Sequence, residues 1–495
     1  MFSEWLYLPQ AAAQYLGDPM VWAFLLLGTL CGFFVGVMPG LGPTMGMALC
    51  LGIIFRLEAA QGMALLIGIF VAAVGSGGIT ASLLNIPGTA AAAATCSDGY
   101  ALSRQGRSRE AVGFSLSASV LGTLSAAVLI FFIQPFVTTI ALKFGDWETF
   151  LFCLFGLLVC GSLSGESKLR GWIAALGGCL VAMCGADGVQ SVLRFTFGRP
   201  ELLSGVDSVV AMLGLFGVGE VLYTLTRPQH ERMPEKTGFP IIKLPILLKN
   251  GFNLLRSVLA GMWIGFIPGI GESAACWFSY DMAKRSSKNK EKFGKGSEEG
   301  IIAAEAANNA SSVGALIPAL ALGIPGSSTV AMFISAMYVL NFRPGPTLLI
   351  ENPGLLCGLC LLLVVAALAL GLVAFLCSPF AIKLLSIPEN LLMPFILVLC
   401  AVGAYGTTNT PFALIQLAVF GILGYLMKRF HYPIAPFVLG LLIGKTADTA
   451  LRRALMQYSG DLLGMVTRPF GLVILGTLLL LCVVELRHGS VRKQD

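Results

Sequence analysis

The sequence predicts an all-α, polytopic membrane protein with about 12 transmembrane helices. Of its 495 residues, 56% are hydrophobic and only 12% are charged, whereas soluble globular proteins carry about 25% charged residues. The mean hydropathy is +0.84. The apolar runs are continuous rather than alternating with period two, which disfavours a β-barrel. These observations exclude a disordered chain, a coiled coil and an ordinary cytosolic enzyme.

Apolar segments follow one another along the whole chain. The runs Pro19 to Phe55 and Ala59 to Ser97 contain no charged residue, and each is broken by Gly and Pro near its middle. Further segments are predicted at 111–142, 149–165, 171–185, 205–225, 254–280, 300–322, 324–341, 354–382, 391–427, 433–447 and 469–485. The 59 glycines and 24 prolines indicate close helix contacts and interrupted helices.

A polar connection near the middle divides the chain. We predict a first transmembrane half-repeat over residues 1–225, a polar linker over 226–253 and a second half-repeat over 254–495. The second half contains the most hydrophilic stretch, 284–299, and ends in a basic tail. Because basic residues favour the cytoplasmic side of a membrane, this loop and the tail are predicted to be cytoplasmic.

Two Pro-Gly motifs recur in the same order in both halves. Gly36-Val-Met-Pro39-Gly40-Leu-Gly42 returns as Gly265-Phe-Ile-Pro268-Gly269-Ile-Gly271. Asn85-Ile-Pro87-Gly88-Thr89 returns as Gly323-Ile-Pro325-Gly326-Ser327. Each half is therefore predicted to contribute the same pair of interrupted, re-entrant helical segments.

Interrupted helices inside a membrane indicate a binding site. A break exposes backbone N–H and C=O groups whose burial is costly unless they line a hydrated cavity or bind a ligand. A helix that restarts after a break presents free N–H groups, which suit a carboxylate, and the opposing carbonyls suit Na⁺. Matching breaks in two halves are typical of the central site of a transporter.

The predicted substrate- and ion-binding residues are the Gly and Pro residues of these breaks and the polar residues beside them. In the first half they are Pro39, Gly40, Gly42, Thr44, Asn85, Pro87, Gly88 and Thr89. In the second half they are Pro268, Gly269, Gly271, Glu272, Ser273, Glu305, Asn308, Asn309, Pro325, Gly326, Ser327 and Ser328. The structural alternative is that the Pro-Gly pairs form plain kinks, the polar side chains join helices, and both glutamates are interfacial.

Other motifs predict no chemistry. Gly440-Leu-Leu-Ile-Gly444-Lys445-Thr446 resembles a phosphate-binding loop but is one residue short between its glycines and follows no strand. Cys357 and Cys360 lie on an uncharged run without a histidine, which favours packing over metal binding. No catalytic residue, metal site or cofactor other than a coupling ion is predicted, and the chain is predicted not to be an enzyme.

Longer motifs extend over nearly the whole chain. They are Leu84-Asn-Ile-Pro-Gly-Thr-Ala-Ala-Ala-Ala-Ala-Thr-Cys-Ser-Asp-Gly-Tyr100, Gly294-x-Gly-x-x-Glu-Gly300, Glu305-Ala-Ala-Asn-Asn-Ala310, Leu322-Gly-Ile-Pro-Gly326 and Arg343-Pro-Gly-Pro346. Together they resemble the large membrane subunit of the tripartite tricarboxylate transporters. The resemblance implies a multi-pass transporter of the bacterial inner membrane that works with a small membrane subunit and a periplasmic solute-binding protein.

The predicted function is secondary active import of a small organic anion, a di- or tricarboxylate, by Na⁺ or H⁺ symport. The alternatives are a passive channel and a polytopic enzyme acting on lipid or isoprenoid substrates. No nucleic-acid partner is predicted. The two repeats are either inverted or parallel; with inversion, 56–58 and 104–109 are both expected opposite 284–299, so that Ser103 and Ser287 label from opposite sides.

Overall fold

The computed structural model describes residues 3–38, 41–141, 143, 145–162, 168–226, 238–267, 271–345, 348, 351–352, 354–385, 389–458 and 461–479. Residues 227–237 of the predicted linker and residues 480–495, which include the basic tail, lie outside these residues. The described chain is almost entirely helical, and seven of its helices are long and apolar enough to cross a membrane. These features confirm the predicted all-α, polytopic membrane fold.

The helices of the first 225 residues are α1 (Leu8–Leu16), α2 (Pro19–Val37), α3 (Gly42–Ile54), α4 (Ala59–Leu84), α5 (Ala93–Leu102), α6 (Ser108–Ala141), α7 (Asp146–Ser162), α8 (Lys168–Ala182), α9 (Ser208–Met212) and α10 (Gly219–Leu225). A short hairpin pairs β1 (Gly185–Ala186) antiparallel with β2 (Leu193–Arg194). Asp18 begins α2 by accepting a hydrogen bond from the N–H of Met20, and a proline follows at the first helical position.

The helices of the remaining chain are α11 (Leu244–Lys249), α12 (Gly251–Phe266), α13 (Gly271–Ser286), α14 (Glu298–Leu322), α15 (Ser328–Val339), α16 (Leu355–Leu385), α17 (Glu389–Thr408), α18 (Phe412–Arg429), α19 (Ile434–Gln457), α20 (Leu462–Val466) and α21 (Pro469–Leu479). Ser297 begins α14 by accepting a hydrogen bond from the N–H of Gly300.

Each half begins with one helix that enters the bundle and one that returns. Gly28, Gly32 and Gly36 recur every fourth residue on α2 and pack directly against the backbone of α4. In the second half, Gly261 and Gly265 pack against the backbone of α14 in the same way. Small residues at this spacing allow close helix contact. In both pairs the contacts advance together along the two chains, so α2 is parallel to α4 and α12 is parallel to α14.

The two halves run in opposite directions. Gly75 of α4 lies beside the amide of Asn309 on α14, and Gly78 lies beside the carboxylate of Glu305. Because the residue number rises on one helix as it falls on the other, α4 and α14 are antiparallel. The hairpin α2–α3 therefore opens toward one end of the bundle and the hairpin α12–α13 toward the other. The sequence left open whether the repeats are inverted or parallel, and this packing shows that they are inverted.

The interrupted segments of the two halves pack against each other. Helix α3 of the first half contacts α15 of the second, while α13 of the second half contacts α5 and the turn before it. Ala91, Ala94, Cys276 and Ala304 form a buried cluster at this second contact. Each returning helix therefore lies against the other half's second interrupted segment.

The loops 103–109 and 287–298 lie together at one end of the bundle, which we call the basic end. The Gln105 side chain donates a hydrogen bond to the carbonyl of Lys295, 2.7 Å away. Arg107 forms an ion pair with Glu298 at 2.9 Å. The expectation that inversion would place residues 104–109 opposite 284–299 is therefore wrong. The reason is that the segment after α4 folds back beside Gly77, and α5 then runs alongside the last turns of α4 toward the same end of the bundle.

Cysteine labelling tests this arrangement. Ser103 and Ser287 are buried, so the exposed neighbours Arg104 and Lys288 are better labelling positions. We expect Arg104→Cys and Lys288→Cys to react with a membrane-impermeant maleimide from the same side of the membrane, and Glu58→Cys to react from the opposite side. Labelling of Arg104→Cys and Lys288→Cys from different sides would contradict the observed packing.

An ion-pair square fastens the β-hairpin at the end of the bundle opposite the basic end. Asp187 pairs with Arg194 and with Arg452 of α19, each at 3.1 Å, and Asp448 pairs with the same two arginines. Hydrogen bonds from the backbone N–H groups of Val189 and Gln190 lower the pKa of Asp187, and the guanidinium groups of the two arginines lower it further. Together they outweigh desolvation, which raises this pKa. The square ties the segment between α8 and α9 to α19.

We expect Asp187→Asn to lower the Tm of the purified protein by a few degrees at pH 7. A carboxyl whose pKa is lowered in the folded protein stabilises the fold at pH values above its unfolded pKa of about 3.9. This contribution is lost as the pH falls through the lower native pKa. The Tm difference between wild type and Asp187→Asn should therefore close in acid. A difference that stays constant from pH 7 to pH 3 would exclude a role for this charge.

Candidate functional site

The first break of each half ends at a glycine in the left-handed region. Gly42 begins α3 with φ +62°, and Gly271 begins α13 with φ +76°. Neither position has an atom near where a Cβ would lie, so the backbone conformation is what requires glycine there. The predicted site residues Pro39, Gly40, Pro268 and Gly269 lie outside the described residues. The backbone conformation at the start of the returning helix, just after the first break, is thus the same in the two halves.

The second breaks also match. Helix α4 ends at Asn85 with φ 56°, and α14 ends at Gly323 with φ 72°, both left-handed. After Pro87-Gly88, the Thr89 side chain accepts a hydrogen bond from the N–H of Ala92 at 3.3 Å. After Pro325-Gly326, Ser327 accepts one from the N–H of Val330 at 3.3 Å. Each break therefore contains a helix stop, a Pro-Gly pair and a hydroxyl cap that starts the next helix.

The two breaks of each half meet at a glycine. A Cβ at Gly88 would collide with the carbonyl oxygen of Gly36, and a Cβ at Gly326 would crowd the carbonyl oxygen of Gly265. Gly36 and Gly265 occupy equivalent positions in the first Pro-Gly motif. The structure therefore packs the second break of each half against the helix that precedes the first break, and all four of these glycines are buried.

The second half adds a carboxylate to this junction. Ser327 Oγ donates a hydrogen bond to Glu272 Oε1 at 2.7 Å, which joins the start of α13 to the start of α15. Glu272 and its neighbour Ser273 are half-buried, as are Thr44 and Ser328. The residue equivalent to Glu272 in the first half is Pro43. The two junctions therefore differ in charge although their backbones match.

Glu305 lies in a separate cluster of buried polar side chains between α4, α5, α6 and α14. Its carboxylate accepts hydrogen bonds from Thr95 Oγ1 at 2.6 Å and from Ser119 Oγ at 3.1 Å. Its side chain is 0% exposed, and no basic side chain of the described residues forms an ion pair with it. Glu305 therefore lies on the inner side of a fully packed helix.

Further polar groups surround this carboxylate. Asn309 donates from Nδ2 to the carbonyl of Glu305 at 3.0 Å and accepts from Thr123 at 3.4 Å. The Asn308 amide lies near the carboxylate, but neither its Nδ2 nor its Oδ1 has a hydrogen bond of acceptable geometry within the described structure. Gly78 leaves the necessary room, because a Cβ there would collide with Glu305 and with Ser115. We call these seven residues the Glu305 cluster: Thr95, Ser115, Ser119, Thr123, Glu305, Asn308 and Asn309.

Four members of the Glu305 cluster were not predicted from the sequence. Ser115, Ser119 and Thr123 recur every fourth residue on α6 and therefore share one helix face. This hydroxyl stripe was a usable signal within an apolar segment. Thr95 carried no such signal, since its contact with Glu305 joins residues 210 positions apart in the chain.

A second buried carboxylate, Asp98, was also missed. Asp98 Oδ1 accepts hydrogen bonds from the backbone N–H groups of Gly294, Gly296 and Ser297 at 2.8 to 2.9 Å. Asp98 Oδ2 accepts from the Tyr280 hydroxyl at 2.8 Å. Gly294 and Gly296 both have positive φ, which turns their N–H groups toward the carboxylate. Asp98 therefore fastens α5 to the start of α14 at the basic end.

The described residues offer no obvious metal centre. No three His, Cys, Asp or Glu side chains among them come close enough to hold a metal ion. The oxygen atoms around Glu305 belong to one carboxylate, hydroxyls and amides, which are ligands for a proton or a hard cation.

The fold and the site define a class: a polytopic membrane protein with two oppositely directed pairs of interrupted helices, the architecture of a transporter. The chain belongs to the tripartite tricarboxylate transporter TctA family, whose model matches residues 22–439. Membership implies that the chain is a component of a tricarboxylate transporter. It confirms the resemblance found in the sequence motifs.

Two relatives from Agrobacterium vitis support the assignment. The chain is 33% identical over 481 residues to the uncharacterized 52.8 kDa protein in the TAR-I ttuC' 3' region, and the match covers 96% of this chain and 95% of that protein. It is 34% identical over 234 residues to the uncharacterized protein in the TAR-II ttuC' 3' region, covering 47% of this chain and 96% of that protein. No solved structure matches the chain.

Proposed function

We propose that this protein imports a di- or tricarboxylate across the bacterial inner membrane by symport with Na⁺ or H⁺. It works with a small membrane subunit and receives its cargo from a periplasmic solute-binding protein. The observation that carries the proposal is the matched pair of broken helices in each half, together with one buried carboxylate that lacks a cationic partner. A passive channel needs no such carboxylate.

The broken helices bind the cargo. The helices that restart at Gly42, Gly271, Thr89 and Ser327 present N–H groups and partial positive charge toward the breaks. Carboxylate groups of the cargo accept these N–H groups, as anions do at helix N-termini elsewhere. The hydroxyls of Thr44, Ser273 and Ser328 add neutral donors, which bind an anion without the desolvation cost of a buried lysine or arginine.

The Glu305 cluster binds the coupling ion. A buried carboxylate without a counter-ion is expensive in an apolar interior, so Glu305 is neutralised by a proton or by Na⁺. For Na⁺, the hydroxyl and amide oxygens of the cluster complete an oxygen shell. Thr95 lies on α5, just after the break at 85–89, so the charge state of Glu305 acts on the position of the broken segment. Ion occupancy and cargo binding are coupled through this contact.

Uptake into proteoliposomes tests the proposal. All three components are reconstituted, with the binding protein and a radiolabelled carboxylate outside, and a Na⁺ or pH gradient is imposed. We expect accumulation above the outside concentration, driven by one gradient and abolished by the matching ionophore. Uptake that requires ATP and survives collapse of both gradients would reject symport, and equilibration without the binding protein would indicate a channel.

A further inference from the structure

A polar cavity of about 550 Å³ opens at the end of the bundle opposite the basic end. It lies where α7 begins and α8 ends, beside the segment 204–208 and the second half of α19. We call it the outer cavity. It is distinct from the Glu305 cluster and from the four breaks, because it contains none of their residues.

One face of α19 lines the outer cavity with cations and hydroxyls. Lys445, Thr449 and Arg453 recur every fourth residue, and Thr446 lies beside them, so all four side chains share this face. Lys445 and Thr446 belong to the motif that resembled a phosphate-binding loop in the sequence. They lie inside helix α19 rather than in a glycine-rich turn, so they form no phosphate-binding loop.

The two cations of the outer cavity form no ion pair with the carboxylates that share it. Lys445 and Arg453 are exposed, and neither forms an ion pair or hydrogen bond with a described residue. Two carboxylates also line the cavity, but each lies in the first turn or at the cap of a helix, where the helix dipole compensates it. Asp207 caps α9 by accepting from the N–H of Val210 at 2.9 Å, and Asp146 begins α7.

Helix α15 connects the outer cavity with the breaks. It begins beside Ser327, whose hydroxyl bonds Glu272, and Tyr338 near its other end lines the outer cavity. A helix of 12 residues spans about 18 Å. Occupancy of the outer cavity can therefore act on the second junction through one rigid element.

We propose that the outer cavity is a carboxylate-binding site, at which Lys445 and Arg453 bind the anionic groups of an organic acid before it reaches the breaks. The direction of this transfer rests on the proposed function, because the basic end then faces the cytoplasm and the outer cavity faces the side from which cargo arrives. The binding itself does not rest on coupling. Cations that have no ion-pair partner in a cleft are available to attract and bind anions.

Charge-selective thiol labelling tests the electrostatic part of this proposal without knowledge of the cargo. Thr449→Cys in the full-length protein is labelled with an anionic and a cationic methanethiosulfonate of similar size, and modification is read at its own peptide by mass spectrometry. We expect the ratio of anionic to cationic labelling rates to exceed that of the exposed reference Arg199→Cys by about tenfold. The double substitution Lys445→Gln, Arg453→Gln should return the ratio to the reference value.

Protection by carboxylates tests binding. We expect citrate or succinate, added at millimolar concentration, to slow the labelling of Thr449→Cys with a neutral maleimide at least severalfold and to leave Arg199→Cys unaffected. Arg199→Gln, which removes a charge from the same end but outside the cavity, should keep this protection, whereas the double variant should lose it. An anionic-to-cationic ratio at the reference value, or no protection by either acid, would overturn the proposal. Loss of gradient-driven uptake with both effects retained would instead overturn the proposed function.

Discussion

Glu305→Gln is expected to reduce gradient-driven carboxylate uptake by about 100-fold, which corresponds to about 2.7 kcal/mol. The substitution keeps the size of the side chain and one oxygen that can accept from Thr95 or Ser119, and the other hydroxyl can turn to accept from the new amide N–H. It removes the charge that a proton or Na⁺ neutralises. Folding is expected to persist, because the amide no longer requires a counter-ion in the buried cluster. Initial uptake rates in proteoliposomes measure the effect.

Two comparisons make this result specific. Glu291→Gln is the same chemical change on the exposed loop of the basic end and is expected to leave uptake unchanged. If the ion is a proton, Glu305→Gln should still exchange labelled for unlabelled cargo, since exchange needs no net proton movement. If the ion is Na⁺, exchange should be lost with uptake. Uptake by Glu305→Gln at the wild-type rate, with an intact gradient requirement, would remove Glu305 from the coupling mechanism.

Asp98→Ala is expected to cause the largest loss of stability among the substitutions considered. It leaves three backbone N–H groups at 294–297 and the Tyr280 hydroxyl without their acceptor. The N–H groups of Gly296 and Ser297 and the Tyr280 hydroxyl are buried, and each buried donor left unsatisfied costs about 1–3 kcal/mol. The total is a large fraction of the stability of a typical protein. The midpoint of thermal unfolding in detergent measures the loss.

Asp461→Ala provides the matched control for Asp98→Ala. Asp461 is also a carboxylate that accepts a backbone N–H, but it is exposed and caps only the short helix α20. Removal of such a cap costs about 1 kcal/mol. A fall in Tm for Asp98→Ala no larger than that for Asp461→Ala would show that the 294–297 loop is held in another way.

The repeat was accessible from sequence because its causes are local. A left-handed glycine after Pro-Gly and a hydroxyl cap after a helix stop are properties of a few neighbouring residues, so Gly42 and Gly271, or Thr89 and Ser327, could be paired by eye. The apolar runs likewise gave the fold class, since each helix must be apolar to cross the bundle.

The direction that the chain takes after each Pro-Gly motif could not be predicted from neighbouring residues in this way. The two Pro-Gly motifs of one half look alike in sequence, yet the helices on either side of the first form a hairpin. At the second motif the chain folds back, and the next helix runs parallel to the end of the helix before it. Only long-range contacts separate these outcomes, such as Gln105 with Lys295. A prediction based on the similarity of the motifs therefore placed residues 104–109 at the wrong end relative to 284–299.

The partners of Glu305 were hidden for a related reason. From the sequence alone, a single glutamate on an apolar helix can be interpreted equally well as interfacial or as functional. Which interpretation is right depends on the side chains that pack against the glutamate. The hydroxyl donors Thr95 of α5 and Ser119 of α6 lie 210 and 186 positions before Glu305 in the chain. Burial of the carboxylate among these donors, rather than its position in the sequence, is what favours an ion-binding role.

The most direct test of the central claim is cargo protection at equivalent residues of the two halves. Thr44→Cys and Ser273→Cys each place a thiol just after the first break, one in each half. With the reconstituted complex and a transported carboxylate, we expect alkylation of both cysteines to slow, and to slow further when the coupling ion is present. Protection of only one position, or of neither, would contradict a carboxylate site shared by the two inverted halves.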